Sequence, residues 1–232
     1  MSARSKNIVL IGVLIVAAGL AAALIAVSVT GGKDEAPPAA HGSPETEALL
    51  EGVPQRGNVL GRPGAPVTIV EYADYQCPYC AQWARDTLPA IVDEYVRQGK
   101  VRIVFQGVAI LGPESASALQ TVVSAGAQNK LWNMGELVFH NQGAENSGWV
   151  TDDLLRQLGA SVPGLDVDAM MDDRDSQEVA AAVADGQAAA QAAGVNVTPS
   201  FQIGKTGGEM TLVEGARPTA DFRRLLDSLL RS

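Results

Sequence analysis

With 232 residues and 47% hydrophobic side chains, the chain can bury the core of one domain even after its first sixty residues are set aside. Its 26 acidic side chains outnumber 17 basic ones, and a net charge of −9 disfavours nucleic acid as a partner. Two cysteines and two histidines, Cys77, Cys80, His41 and His140, lack the paired spacing of a four-ligand structural zinc site, so no metal is expected.

The first sixty residues divide into three parts. Residues 1–7 form a short tail carrying Arg4 and Lys6. Residues 8–29 contain no charge and would span about 33 Å as a helix, enough to cross a bilayer. Lys33 beyond this run is followed at once by Asp34 and Glu35, so the positive-inside rule leaves the N-terminus in the cytoplasm and the remainder outside. The expectation is a single-pass anchor in the cell membrane; a cleaved signal peptide, whose apolar region is usually shorter, is the alternative. Either version exports the domain to a compartment where disulfides persist. Residues 30–57, rich in Gly, Pro, Ala and Glu, read as a flexible linker with His41 solvated inside it.

The domain expected over 58–232 opens with Val59-Leu60 as a short edge strand. Val67 to Tyr72, β-branched and aromatic, reads as a strand. It leads into Glu71-Tyr-Ala-Asp-Tyr-Gln-Cys-Pro-Tyr-Cys-Ala81, which holds both cysteines. Ala84, Leu88, Ile91, Val92 and Tyr95 then recur at helical spacing, with a kink expected at Pro89.

The C-x-x-C therefore lies where a strand ends and a helix begins. Residues three apart in a first helical turn share a face and come within disulfide range. The first cysteine meets the unpaired N–H groups and positive end of the helix dipole, which favour its thiolate. Pro78 suits that turn, because its missing N–H has no intrahelical partner there. Cys77 is expected to attack and the deeper Cys80 to resolve. A purely structural disulfide is the weaker reading, since so short a loop removes little unfolded-state entropy.

Val101 to Phe105 returns as a strand and completes a βαβ unit. A helical block follows, about 113–194. In it, Trp132, Met134, Leu137, Val138 and Phe139 form a strongly apolar helix, Thr151 caps a short one stopped by Gly159, and an alanine-rich helix ends at Gly194. Trp132 and His140 could line a groove or simply pack in the core. Nine acidic residues between Asp152 and Asp185 face only Arg156 and Arg174, read as a solvated face or a charge filter. Ser200–Ile203 and Glu209–Val213, joined by a Gly-rich turn, form an antiparallel hairpin. Phe222, Leu225, Leu226, Leu229 and Leu230 stripe a final helix with Thr219 as its cap.

In order and motif the chain resembles the DsbA-like thiol–disulfide oxidoreductases, in particular their membrane-anchored bacterial members. The resemblance covers roughly Leu50 to Leu230. It rests on V-P-Q-R-G-N-V-L-G at 53–61, A-P-V-T-I-V-E-Y-A-D-Y-Q-C-P-Y-C at 65–80, K-V-R-I-V-F at 100–105 and V-T-P-S-F at 197–201. It implies an α/β thioredoxin-like fold with a helical insertion, here preceded by one transmembrane helix. It implies Cys77 as nucleophile, Cys80 as resolving thiol, and Pro199 as a cis-proline facing them. Glu71 matches an acidic position beneath the dithiol that exchanges its proton; the alternative is a carboxylate at a strand edge bound to solvent. Thr198, Pro78 and Tyr79 are expected to touch the substrate. No cofactor beyond the Cys77–Cys80 pair is implied. The implied partners are exported proteins with thiols and a membrane quinone-linked thiol oxidase, DsbB-like or vitamin-K-epoxide-reductase-like. The sequence departs from strongly oxidising members in having Tyr79 where they carry His. Disulfide formation is the first reading; a reductase or isomerase of the same fold, and a non-redox folding or binding module, stay open.

Overall fold

A computed structural model describes residues 40–232. The stretches read as cytoplasmic tail and membrane span, and the first part of the linker, lie outside the described residues. Among the described residues, no helix is long and apolar enough to cross a membrane.

The architecture is a six-stranded sheet with helices packed against it. Its strands are β1 (Gln55–Arg56), β2 (Val59–Leu60), β3 (Val67–Ala73), β4 (Val101–Gly107), β5 (Ser200–Lys205) and β6 (Met210–Glu214), in spatial order β1-β2-β4-β3-β5-β6. Only β3 and β4 run parallel, joined by the cysteine-bearing helix; the other pairings are antiparallel. β3 is thus the central strand, paired on both sides, and nearly all of its side chains are buried. A strand covered on both faces must be apolar almost throughout, which is what Val67-Thr-Ile-Val-Glu-Tyr-Ala73 supplies apart from Glu71 and Thr68.

The helices are α1 (Ser43–Leu50), α2 (Pro78–Asp86), α3 (Leu88–Ile91, continued by a π-helical turn Val92–Val96), α4 (Pro113–Ala127), α5 (Leu131–His140), α6 (Asp152–Ala160), α7 (Val167–Asp173), α8 (Gln177–Ala192) and α9 (Thr219–Arg231). Helices α4 to α8 form the insertion, between β4 and β5, within the bounds expected from the sequence.

Several local expectations are corrected. Residues 43–50, assigned to the linker, form α1, whose Thr46 and Leu50 are buried. Arg97 holds its end, donating to the Leu49 carbonyl at 2.9 Å and to the Glu51 carbonyl. Val59-Leu60 is not the edge; β1 pairs outside it. The break in the cysteine helix falls at Thr87 (φ −115°, ψ −46°) and not at Pro89. Pro89 has no N–H for the Arg85 carbonyl and its ring crowds that carbonyl, so the disruption lies upstream. Thr151 caps α6 by accepting from the Leu154 N–H at 3.2 Å, yet α6 runs through Gly159 to Ala160. Thr219 is the first residue of α9 and caps nothing; Pro218 precedes it as the N-cap.

Two aromatic clusters hold the layers. Trp83 of α2 lies 4.7 Å from Phe201 of β5 and 5.9 Å from Phe222 of α9, and these two cross edge-on at 5.0 Å. Each is buried, and truncating one to alanine would cost about 3–5 kcal/mol. Tyr75 meets Phe139 of α5 at 4.7 Å and Phe105 of β4 at 5.5 Å, while Trp132 packs on Phe105 at 6.1 Å. Of the two readings of Trp132, core packing is therefore what the structure contains. This second cluster fastens the insertion to the sheet directly beside the cysteine loop.

Candidate active site

β3 ends at Ala73, and four residues later Cys77 takes the N-cap position of α2 with an extended backbone (φ −73°, ψ 117°). Its carbonyl accepts from the N–H of Cys80 at 3.1 Å and of Ala81 at 3.2 Å, so the first turn winds around it. Cys80 is inside the helix and fully buried; Cys77 is 4% exposed, and both are free thiols.

The opposite wall is the turn into β5. The Thr198–Pro199 peptide is cis, as the resemblance implies. Ser200 Oγ donates to the Val197 carbonyl at 2.7 Å, and Gly215 N–H donates to the Pro199 carbonyl at 2.8 Å, which hold the turn in place. The Cys77 thiol donates to the Thr198 carbonyl at 3.3 Å. The structure thus brings Cys77, Cys80, Pro78, Tyr79, Thr198 and Pro199 together across one junction.

The two sulfurs differ electrostatically. The Cys77 thiol is lowered from its ordinary 9.0 to about 6: a hydrogen bond from the Cys80 thiol is the largest cause, desolvation opposes it, and the Thr198 side chain and the N–H groups of Cys80 and Tyr79 add to it. The contact to the Thr198 carbonyl exists only while the sulfur keeps its proton. Cys80 is pushed well up, chiefly by burial and then by its role as donor to Cys77.

Glu71 is 2% exposed on the central strand, with Phe105 and Phe201 as its paired neighbours. The alternative of a solvated carboxylate at a strand edge is thereby excluded. Burial, with the nearby Glu136 second, raises its carboxyl well above the usual range, and its charge is felt at Cys80.

Four further residues shape the site without having been singled out in the sequence. Asp74, fully buried, accepts from the N–H of Gln76 at 2.8 Å, of Ile110 at 2.8 Å and of Leu111 at 3.1 Å, and from Ser115 Oγ at 2.6 Å. It clamps the cysteine loop to the loop after β4 and to the start of α4. Gln76 accepts from the Asn146 N–H at 2.7 Å. Gln142, just past α5, donates to the carbonyls of Tyr75 at 2.8 Å and Cys77 at 3.1 Å. Glu136 is buried within α5. Asp74 and Gln76 stand inside the cysteine motif, and Glu136 is the one acid in an apolar helix, so each left a signal. Gln142 left none.

Among the described residues, the exposed large apolar side chains are Tyr79, Ile110 and Val197. One lies between the cysteines, one on the loop bound to Asp74, and one beside Thr198. Tyr79 and Val197 thus set an apolar rim on the two chain segments that meet at the Cys77–Thr198 contact.

A family model described as Thioredoxin matches residues 55–228. The Bacillus cereus protein named "Probable disulfide bond formation protein D" is 29% identical over 147 residues, which are 62% of this chain and 68% of that protein. Among solved structures, oxidised BdbD from Bacillus subtilis aligns with a TM-score of 0.68 at 23% identity, over 78% of this chain and 98% of that one. A thioredoxin-like oxidoreductase from Silicibacter pomeroyi aligns with a TM-score of 0.61 at 29% identity, over 80% of this chain and 98% of that one.

Proposed function

The chain belongs to the thioredoxin family and is a thiol–disulfide oxidoreductase of the DsbA-like kind; from that premise we propose that it forms disulfides in exported proteins. The observation that carries the direction of exchange is the likeness to proteins named for disulfide bond formation, and the asymmetry of the dithiol accords with it: the Cys77 thiol is held low, while the fully buried Cys80 is pushed up. A low thiol pKa makes Cys77 a good leaving group and stabilises the reduced pair, and both features suit an oxidant.

A substrate thiolate attacks Cys77 Sγ in the oxidised pair. The Cys77–Cys80 bond breaks and Cys80 leaves with its electron pair, taking up a proton. A second substrate thiolate then attacks the substrate sulfur of the mixed disulfide and expels Cys77 as thiolate. The substrate has lost two electrons and the pair has gained them. Pro199, lacking an N–H, offers no competing donor to the sulfur. The Thr198 backbone lies where an extended substrate segment adds as a short strand, and Pro78 and Tyr79 line its path.

In this reading residues 8–29 anchor the protein in the cell membrane, the N-terminus is cytoplasmic and the domain faces outward. A quinone-linked thiol oxidase of the membrane, DsbB-like or vitamin-K-epoxide-reductase-like, restores the disulfide. The charge pattern at 4–35 supports the topology.

The test is stoichiometric. Oxidised protein mixed with a reduced, unfolded two-cysteine substrate should transfer its disulfide and become alkylatable at both sulfurs. Protein trapped from cells with its thiols already free, and unable to oxidise that substrate, would make it a reductant instead. For the topology, protease added to intact protoplasts should digest the domain; full-length protein in the cytosolic fraction would sink the anchor.

A further inference from the structure

The exchange step leaves a question of proton traffic. When Cys77 is covered by a substrate, the Cys80 thiolate has to be protonated from within the protein. Two cavities near the cysteine loop share one lining residue, Glu136. The inner one has a volume of about 10 Å³, the room of roughly one water, and is lined by Glu71, Tyr75, Trp132, Gly135 and Glu136. The outer one, about 340 Å³, is lined by Glu45, Arg85, Asp93, Glu136 and His140, and by none of Tyr79, Ile110 and Val197. Glu136 is the ionisable side chain common to both.

The details favour a working junction over incidental packing. Glu136 is 3% exposed, and its Oε2 is buried without a hydrogen-bond partner. Trp132 Nε1, on the same inner cavity, is likewise buried and unpartnered. Buried polar atoms normally find partners, and a pair of orphans on a water-sized cavity is a site for a bridging molecule. A Cβ on Gly135 would lie 2.6 Å from Tyr75 Oη, so glycine there lets the Tyr75 hydroxyl come up against α5 beside Glu136. Tyr75 is influenced by Glu71, Glu136 and Cys80 alike, which places it among all three.

We propose that Glu136 is the second carboxyl of a proton route linking Glu71, beneath the dithiol, to the outer groove, so that the leaving Cys80 is protonated from behind while a substrate occupies the front. This rests on the exchange reaction proposed above. As the Cys77–Cys80 bond breaks, Glu71 gives its proton to Cys80 Sγ. Glu136 passes its own proton to Glu71 across the inner cavity and is reprotonated by water in the groove. One proton moves from solvent to Cys80, and both carboxyls return to their starting state. The charged and titratable groups around Glu136 are Glu71 and Tyr75 inward, and Arg85, His140, Glu45 and Asp93 outward. Burial raises Glu136 to about 8 with Arg85 opposing, so it holds a proton at neutral pH.

The test is the opening of the oxidised full-length protein by a cysteine-containing peptide, followed by tryptophan fluorescence from about pH 5 to 9 in light and heavy water. Glu136→Gln should slow opening about ten-fold at neutral pH, enlarge the solvent isotope effect, and be rescued by a small diffusible acid such as imidazolium; Glu136→Asp should recover part of the rate. An unchanged pH profile and isotope effect in Glu136→Gln, or a loss equal at every pH that no acid rescues, overturns the route and leaves the redox reaction standing. Wild-type protein that does not open with the peptide overturns the parent reaction and the route together. Should Glu136→Gln not fold, time-resolved infrared spectra of the wild type during opening decide: two buried carboxyl bands should bleach and recover as Cys80 is protonated, and a transient in only one refutes the route.

Discussion

Removing the Cys80 thiol as a donor should strand Cys77 at a more ordinary acidity, and the size of the effect can be worked out. With a folded value of about 6 against an ordinary 9.0, the thiolate favours the folded reduced protein by about 1.4 kcal/mol at pH 7, near 30 mV for a two-electron couple. The sign follows from a depressed pKa: the contribution is complete above the ordinary value and lost as pH falls through about 6. Although Cys77 is 4% exposed, it lies less deep than Cys80, and whatever water reaches its sulfur weakens these interactions, so the figures are ceilings. The potential of the wild-type pair, measured against glutathione, should therefore change slope near pH 6, from about 59 to about 30 mV per pH unit. The pH midpoint of Cys77 alkylation should fall at the same place. In Cys80→Ala that midpoint should rise, because the largest cause of the depression is gone. A wild-type midpoint in the ordinary thiol range, or an unmoved midpoint in Cys80→Ala, would refute the reasoning.

Other outcomes follow from the same geometry. Cys77→Ser should abolish exchange, whereas Cys80→Ser should accumulate mixed disulfides through Cys77, visible as substrate adducts on non-reducing gels; adducts formed by Cys77→Ser would reverse the roles. Asp74→Ala leaves three backbone donors and Ser115 without their acceptor, and should cost about 3–5 kcal/mol in denaturant titrations. Asp74→Asn keeps one acceptor oxygen and should cost less. Gly186→Ala would set a methyl 2.8 Å from the Gly107 carbonyl oxygen, forcing α8 off β4 at a cost of about 1–3 kcal/mol, read as a lower thermal midpoint.

The sequence alone determined the elements whose signals are local. Strand Val67–Ala73 is legible from its branched and aromatic run, α9 from its leucine stripe, and the reactive position of Cys77 from a proline-bearing helix start. These depend on neighbours one to four residues away, and periodicity records such neighbours. The resemblance supplied what no local pattern holds, that the turn at Thr198–Pro199 returns to the cysteines.

Tertiary structure decided the rest. That Glu71 is buried follows from β3 being central, which depends on pairing with residues some thirty and some 130 positions away. α1 escaped notice because Thr46 and Leu50 make too faint a stripe, and its place is set by Arg97 and Ser161, both distant in sequence. Glu136 reads as an isolated acid in an apolar helix until α5 packs beside β3 and the cysteine loop; only then do two carboxyls face one small cavity. Local chemistry told which atoms could react, but burial and proximity are properties of the packed chain, and these set how acidic each atom becomes and where its proton can go.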